Sequence, residues 1–139
     1  MATDRMAGRS WLDDLSISWP RPMTILGATL ATLAIYLVAT YAGNIDLAAN
    51  NGATTIGAID VVLGTIVPSL GAWGMLAILE RRTDRAWTIW RAIAIAVLVL
   101  SMLGPIGADE PAARVVLSVM HAVAGVIIIK GFSRTAKRS

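Results

Sequence analysis

Two side chains in this sequence could move a proton within otherwise oily surroundings: Asp60 and His121. His121 is the chain's one histidine, and it stands in "LSVMHAVAGVII", Leu117 to Ile128, among residues that are nearly all apolar. An imidazole changes charge near neutral pH and can take up or release a proton. A carboxyl group kept from water can stay a neutral acid and donate one. Together they would make an acid–base pair. Tyr36, Tyr41, Thr65, Trp73, Ser101 and Ser118 could line a substrate pocket around them. Asn44, Asp46, Asp109 and Glu110 would form a polar mouth.

Each of these residues also has a plainer use. Asp60 could cap a helix, because helix N-termini attract negative charge. His121 could be a neutral imidazole bonded to Ser118, Ser101 or a backbone carbonyl, serving only helix packing. Thr65, Ser101 and Ser118 could bond carbonyls of their own helix. The four mouth residues could be solvated loop positions, with Arg114 pairing to Asp109 or Glu110. A serine nucleophile is disfavoured. Ser118 and His121 share a helix face, but no nucleophile elbow or oxyanion donor is recognisable.

The elements that would position these groups follow from composition. Of 139 residues, 56% are hydrophobic and only 15% charged, whereas soluble chains carry about 25% charged residues. The charges are segregated, leaving four long stretches almost free of them. A span needs about 20 apolar residues to cross the hydrocarbon layer. The stretches are residues 23–43, 57–79, 87–108 and 112–132. Connections are short, so neighbours should run antiparallel. The expected fold is all-α, an integral membrane four-helix bundle. Residues 1–22 would be an interfacial segment, 23–132 the bundle, and 133–139 a basic tail.

Eleven of the twelve Lys and Arg residues lie in the N-terminal tail, around the middle connection and at the C-terminal end; Arg114 is the exception. Positive residues stay inside, so both termini are expected to be cytoplasmic in a multi-pass plasma-membrane protein. The first span is too long for a signal peptide. In the tail, "SWLDDLSISW" spaces Trp11, Leu12, Leu15 and Trp19 as a short amphipathic helix lying in the interface. Trp87 and Trp90 would form the matching aromatic belt.

Counting inward at 1.5 Å per residue puts Asp60 about 5 Å and His121 about 14 Å from the outer face. Tyr36, Thr65, Ser101 and Ser118 fall at similar depth, so each helix offers a polar group to the outer half. The inner half offers mainly Ser69 and Trp73. Small residues favour close helix approach in lipid. The expected stripes are Gly27, Ala31 and Ala34; Gly64, Gly71 and Gly74; Ala92 and Ala96; Ser118, Ala122 and Gly125. Pro68 and Pro105 should kink their helices. The connection "NIDLAANNGATTIG", Asn44 to Gly57, reads as a loop able to fold over the bundle mouth.

Without cysteine or a second histidine, no metal site is expected, and no cofactor fingerprint appears. Net charge of +3 does not imply nucleic acid, because the basic residues flank the apolar stretches. The expected partners are the lipid bilayer and a hydrophobic small molecule or lipid, with a homo-oligomer possible.

"GAWGMLAILERRTDRAWTIWRAIAIAVLVLSMLGPIG", Gly71 to Gly107, resembles an actinobacterial family of small four-helix membrane proteins of unknown function, as do "AGNIDL" closing the first span and the histidine of the fourth. The resemblance rests mainly on Glu80, Arg81 and Arg82, on Ser101 with Pro105, and on His121. It covers nearly the whole chain after residue 22 and implies the fold without a mechanism. A fainter similarity, of type alone, is to small bacterial membrane-bound terpene cyclases. It implies an isoprenoid substrate, protonation-initiated cyclisation with Asp60 as acid, and aromatic faces to shelter a carbocation. Two function classes therefore stand. One is an intramembrane enzyme using Asp60 and His121. The other is a non-catalytic accessory or small-molecule-binding protein, or one protomer of an oligomeric transporter.

Overall fold

The computed structural model describes residues 20–49 and 51–136. The amphipathic helix expected between Ser10 and Trp19 lies outside them. Helix α1 (Pro20–Leu37) continues into a π-helical turn, Val38–Ala42. A hairpin of strands β1 (Ala48–Ala49) and β2 (Thr54–Thr55) follows. Helix α2 spans Ala58–Arg82, α3 Ala86–Ser101, the short α4 Leu103–Ile106, and α5 Pro111–Ser133. Four helical stretches are long and apolar enough to cross a membrane: Arg21–Ala42, Ala58–Arg82, Ala86–Ile106 and Pro111–Ser133. Many large apolar side chains face outward, among them Leu30, Val67, Val99 and Val115. A perimeter this oily suits acyl chains. The protein is a multi-pass, four-helix membrane protein.

α1 packs against α2 and α5, and α3 closes the ring against the same two helices. Two apolar cores hold the ends. At the hairpin end, Leu47, Val61, Ala108, Ala113, Leu117 and Met120 pack together. At the other end, rich in arginine, Ile25, Leu76, Trp90 and Phe132 do the same. Trp90 is fully buried, stacks on Trp87 with ring centroids 5.4 Å apart, and donates its indole N–H to the Ala72 carbonyl at 2.8 Å. The belt role expected for Trp90 is thus replaced by a core role. The arginine end is tied further by Arg21. Its guanidinium reaches Glu80 at 2.7 Å and donates to the Thr135 hydroxyl (3.0 Å) and carbonyl (3.2 Å). One side chain thereby joins α1, α2 and the chain beyond α5.

Most of the expected glycine contacts differ. Side chains added at Gly27, Gly64, Gly71 or Gly74 would meet open space. Close approach does occur at Gly125, as expected, where a Cβ would come within 2.6 Å of Leu98, and also at Gly131, outside the expected stripes, where it would overlap Thr24. The reason is that a helix carries several small-residue rows, and only the neighbour decides which one is used.

The expected loop is a small hairpin. Ala48 pairs with Thr55 and Ala49 with Thr54, and Ala49 also bridges to Ala108. Asn51 and Gly52 take φ of 56° and 78°, the left-handed geometry of tight hairpin turns. The hairpin folds over the bundle, burying Leu47. Asp109 holds its tip by accepting the Asn51 and Gly52 amides, each at 2.8 Å. Asp109→Ala should accelerate hydrogen exchange at those two amides by about tenfold. Unchanged protection would show that the carboxylate does not anchor the turn. Arg114 does not pair with Asp109 or Glu110. Its Nε donates to the Ala108 carbonyl at 2.8 Å, which the helix start brings closer than either carboxylate.

Candidate functional site

Between the two apolar cores the bundle is incompletely filled. A cleft of about 210 Å³ lies among α2, α3 and α5, and a second cavity of about 290 Å³ lies among α1, α2 and α5 beneath the hairpin. Gly64, Thr65, His121 and Ala124 line both, so the two hollows adjoin at the middle of the bundle. Their walls are mainly apolar, with Ala94, Val97 and Ile128 in the cleft and Val61, Leu117 and Met120 in the cavity. Gly64, Pro68 and Val97, on the cleft rim, are exposed on the bundle's flank.

His121 is the hinge of this arrangement. Its Nδ1 lies 2.8 Å from the Leu117 carbonyl oxygen, four residues back on α5. A carbonyl can only accept, so Nδ1 carries the proton and donates it there. In the neutral ring Nε2 is then a lone pair. Asp60 lines the hairpin-side cavity with His121 but is exposed at the start of α2 and not kept from water as expected, while one of its oxygens accepts the Gly57 amide at 2.8 Å. That bond is the helix-capping use: an acid at the third helical position returning to the N-cap backbone. The other carboxylate oxygen is left for solvent or a ligand.

Thr65 is buried, donates to the Val61 carbonyl at 2.8 Å and meets the Thr32 hydroxyl at 3.1 Å. Ser101 lines the cleft and donates to the Leu98 carbonyl at 2.7 Å. Ser69, fully buried on the same cleft, donates to the Thr65 carbonyl at 2.5 Å. Pro68 has no N–H, so the Gly64 carbonyl lacks its usual donor four residues on.

Of the residues expected at the site, Asp60, Thr65, Ser101 and His121 line these hollows. The others lie off both. Tyr36 packs against the hairpin-end core and Trp73 against the arginine-end core. Tyr41 is 77% exposed, and Ser118 is half-buried elsewhere on α5. Asn44 is exposed with φ of 49°; Asp46 is exposed, Asp109 binds the hairpin, and Glu110 precedes α5 as its N-cap. Sequence reasoning missed Thr32, which supplies the polar group of α1 in place of Tyr36. Thr32 is buried one turn from the buried Thr29, and nothing in the sequence separates either from the other threonines of the span. Among the described residues, no three His, Cys, Asp or Glu side chains converge as metal ligands would.

The chemistry open to this arrangement is limited and specific. Apolar walls would hold a hydrocarbon, and one imidazole lone pair with a few hydroxyl oxygens would orient a single polar group. No curated protein and no solved structure matches the chain. A family model does match, over residues 16–138, and so takes in every described helix and both hollows. The chain belongs to the family of unknown function DUF6069.

Proposed function

We propose that this protein holds a hydrophobic small molecule, of isoprenoid type, in the two adjoining hollows, with the polar end of the molecule at His121. The carrying observation is that His121 and Thr65 line both hollows at mid-bundle while the remaining walls are mainly apolar. Together the hollows lie within the size range of small-molecule sites, about 300–1,000 Å³. The reading places the protein in the cell membrane with both termini cytoplasmic. In support, Arg81, Arg82, Arg85 and Arg134 are exposed near the end that carries the Arg21–Glu80 pair.

The test uses the protein's own fluorescence, since Trp90 is part of the cleft wall. Titrating farnesol into the purified protein in nanodiscs should give saturable quenching. His121→Ala should weaken binding by about tenfold, the value of one hydrogen bond. Linear, unsaturable quenching identical in both proteins would remove the reading.

A second reading, turnover of the bound molecule, is favoured by one observation: Asp60 and His121 line the same cavity. In that version the Asp60 carboxyl would give a proton to an alkene carbon, His121 Nε2 would take one from the cyclised cation, and return of that proton from His121 to Asp60 across the shared cavity would restore both groups. Atoms balance without a further reactant. Gas chromatography of prenyl substrates after incubation tests it. Product formed equally by wild type and Asp60→Asn would end the catalytic version and leave the binding version standing.

A further inference from the structure

The donors around the mid-bundle cleft share a feature that narrows what it can hold. Five residues with an N–H or O–H line it: Thr65, Ser69, Trp90, Ser101 and His121. Every one of those protons is engaged by a helix carbonyl. Thr65 gives to Val61, Ser69 to Thr65, Trp90 to Ala72, Ser101 to Leu98, and His121 Nδ1 to Leu117, at distances from 2.5 to 2.8 Å. The Thr32 hydroxyl, on the adjoining cavity, has Ala28, Thr29 and Thr65 oxygens within 3.1 Å and is likewise occupied. What these lining residues have left to offer is acceptor capacity: His121 Nε2, the hydroxyl oxygens, the Gly64 carbonyl freed by Pro68, and the Asp60 carboxylate at the far side.

We infer that the site selects a ligand whose polar end is a hydrogen-bond donor, namely an alcohol or phenol attached to a hydrocarbon, and discriminates against the corresponding ether or aldehyde. This rests on the binding function proposed above and adds the chemical class of the head group. A carbonyl or ether oxygen brought to His121 would meet acceptors and apolar walls, with no donor proton left unengaged among the residues that line the cleft. It could gain a donor only by breaking a bond between a side chain and its helix, and a buried polar group left unmet is costly. A hydroxyl meets Nε2 as a donor at once. A protonated amine would also donate, but its charge would sit among apolar walls with its nearest carboxylate, Asp60, bound to the Gly57 amide. The neutral hydroxyl is the better fit.

The experiment compares geraniol, geranyl methyl ether, geranial and geranylamine as probes, titrated against the full-length protein in nanodiscs and read by tryptophan fluorescence. Geraniol should bind about tenfold more tightly than the ether and the aldehyde, and more tightly than the amine. His121→Leu should bring the geraniol and ether affinities together. Equal or inverted affinities in wild type overturn the inference while leaving the binding function intact, whereas no saturable binding of any probe overturns both. Geranylamine binding more tightly than geraniol would overturn the assignment to a neutral head. The wild-type comparison stands without a variant, so misfolding of His121→Leu does not blunt it.

Discussion

Trp90→Ala should destabilise the bundle by about 3–5 kcal/mol, the largest loss expected from any single side chain here. The indole is fully buried, stacks on Trp87, lies 5.6 Å from Phe132 by ring centroids, and bonds to Ala72 on α2. Its removal would leave a void where α2, α3 and α5 meet, joined to the cleft the ring lines, and would take away both the ring contacts and the bond to α2. Trp90→Phe should cost only about 1 kcal/mol from the lost hydrogen bond plus a modest packing defect. Reversible unfolding in mixed dodecyl maltoside and dodecyl sulfate micelles, followed by circular dichroism, measures both. If alanine and phenylalanine behave alike, ring volume is not what holds the arginine end.

Glu80→Ala should cost about 3 kcal/mol, at the low end for breaking a buried ion pair. The Arg21 and Glu80 side chains are only 16% and 11% exposed, so removal of the carboxylate leaves a guanidinium with little water to replace it. The double variant Arg21→Met with Glu80→Met should recover most of that loss. Exchanging a buried pair for apolar groups of similar size is often neutral, whereas halving the pair is not. The same unfolding experiment decides. Should the double variant be less stable than Glu80→Ala, the tie from Arg21 to Thr135 matters more than the pair.

The four spans were legible because length and apolarity are set by the bilayer itself. The observed helices begin and end within a few residues of the expected stretches, running further at the arginine end because Arg81 and Arg82 continue α2 after the apolar run stops. The interruption of the third span was legible too, since Pro105 sits in the separate short helix that follows Ser101. Pairing between helices was not legible. Gly71 and Gly74 look as suitable for close approach as Gly125 and Gly131, and only the position of Leu98 and Thr24 on neighbouring helices separates them. The same limit hid Thr32. A threonine in an oily run carries no mark of which flank it occupies, and α1 turns this one toward Thr65. Trp90 was misjudged because its neighbour Arg91 suggests headgroups, while the ring itself reaches inward to Ala72. The hairpin carried a signal in "NNG", but its paired strands are two residues each, too short for alternation to show.

The exposed rim of the cleft at Gly64, Pro68 and Val97 has a practical consequence. It faces the flank that acyl chains would cover, so a molecule captured there dissolves in the bilayer before it meets the protein. Occupancy is then governed by mole fraction in lipid. Doubling the lipid at fixed ligand would halve the apparent affinity, with no change in the protein.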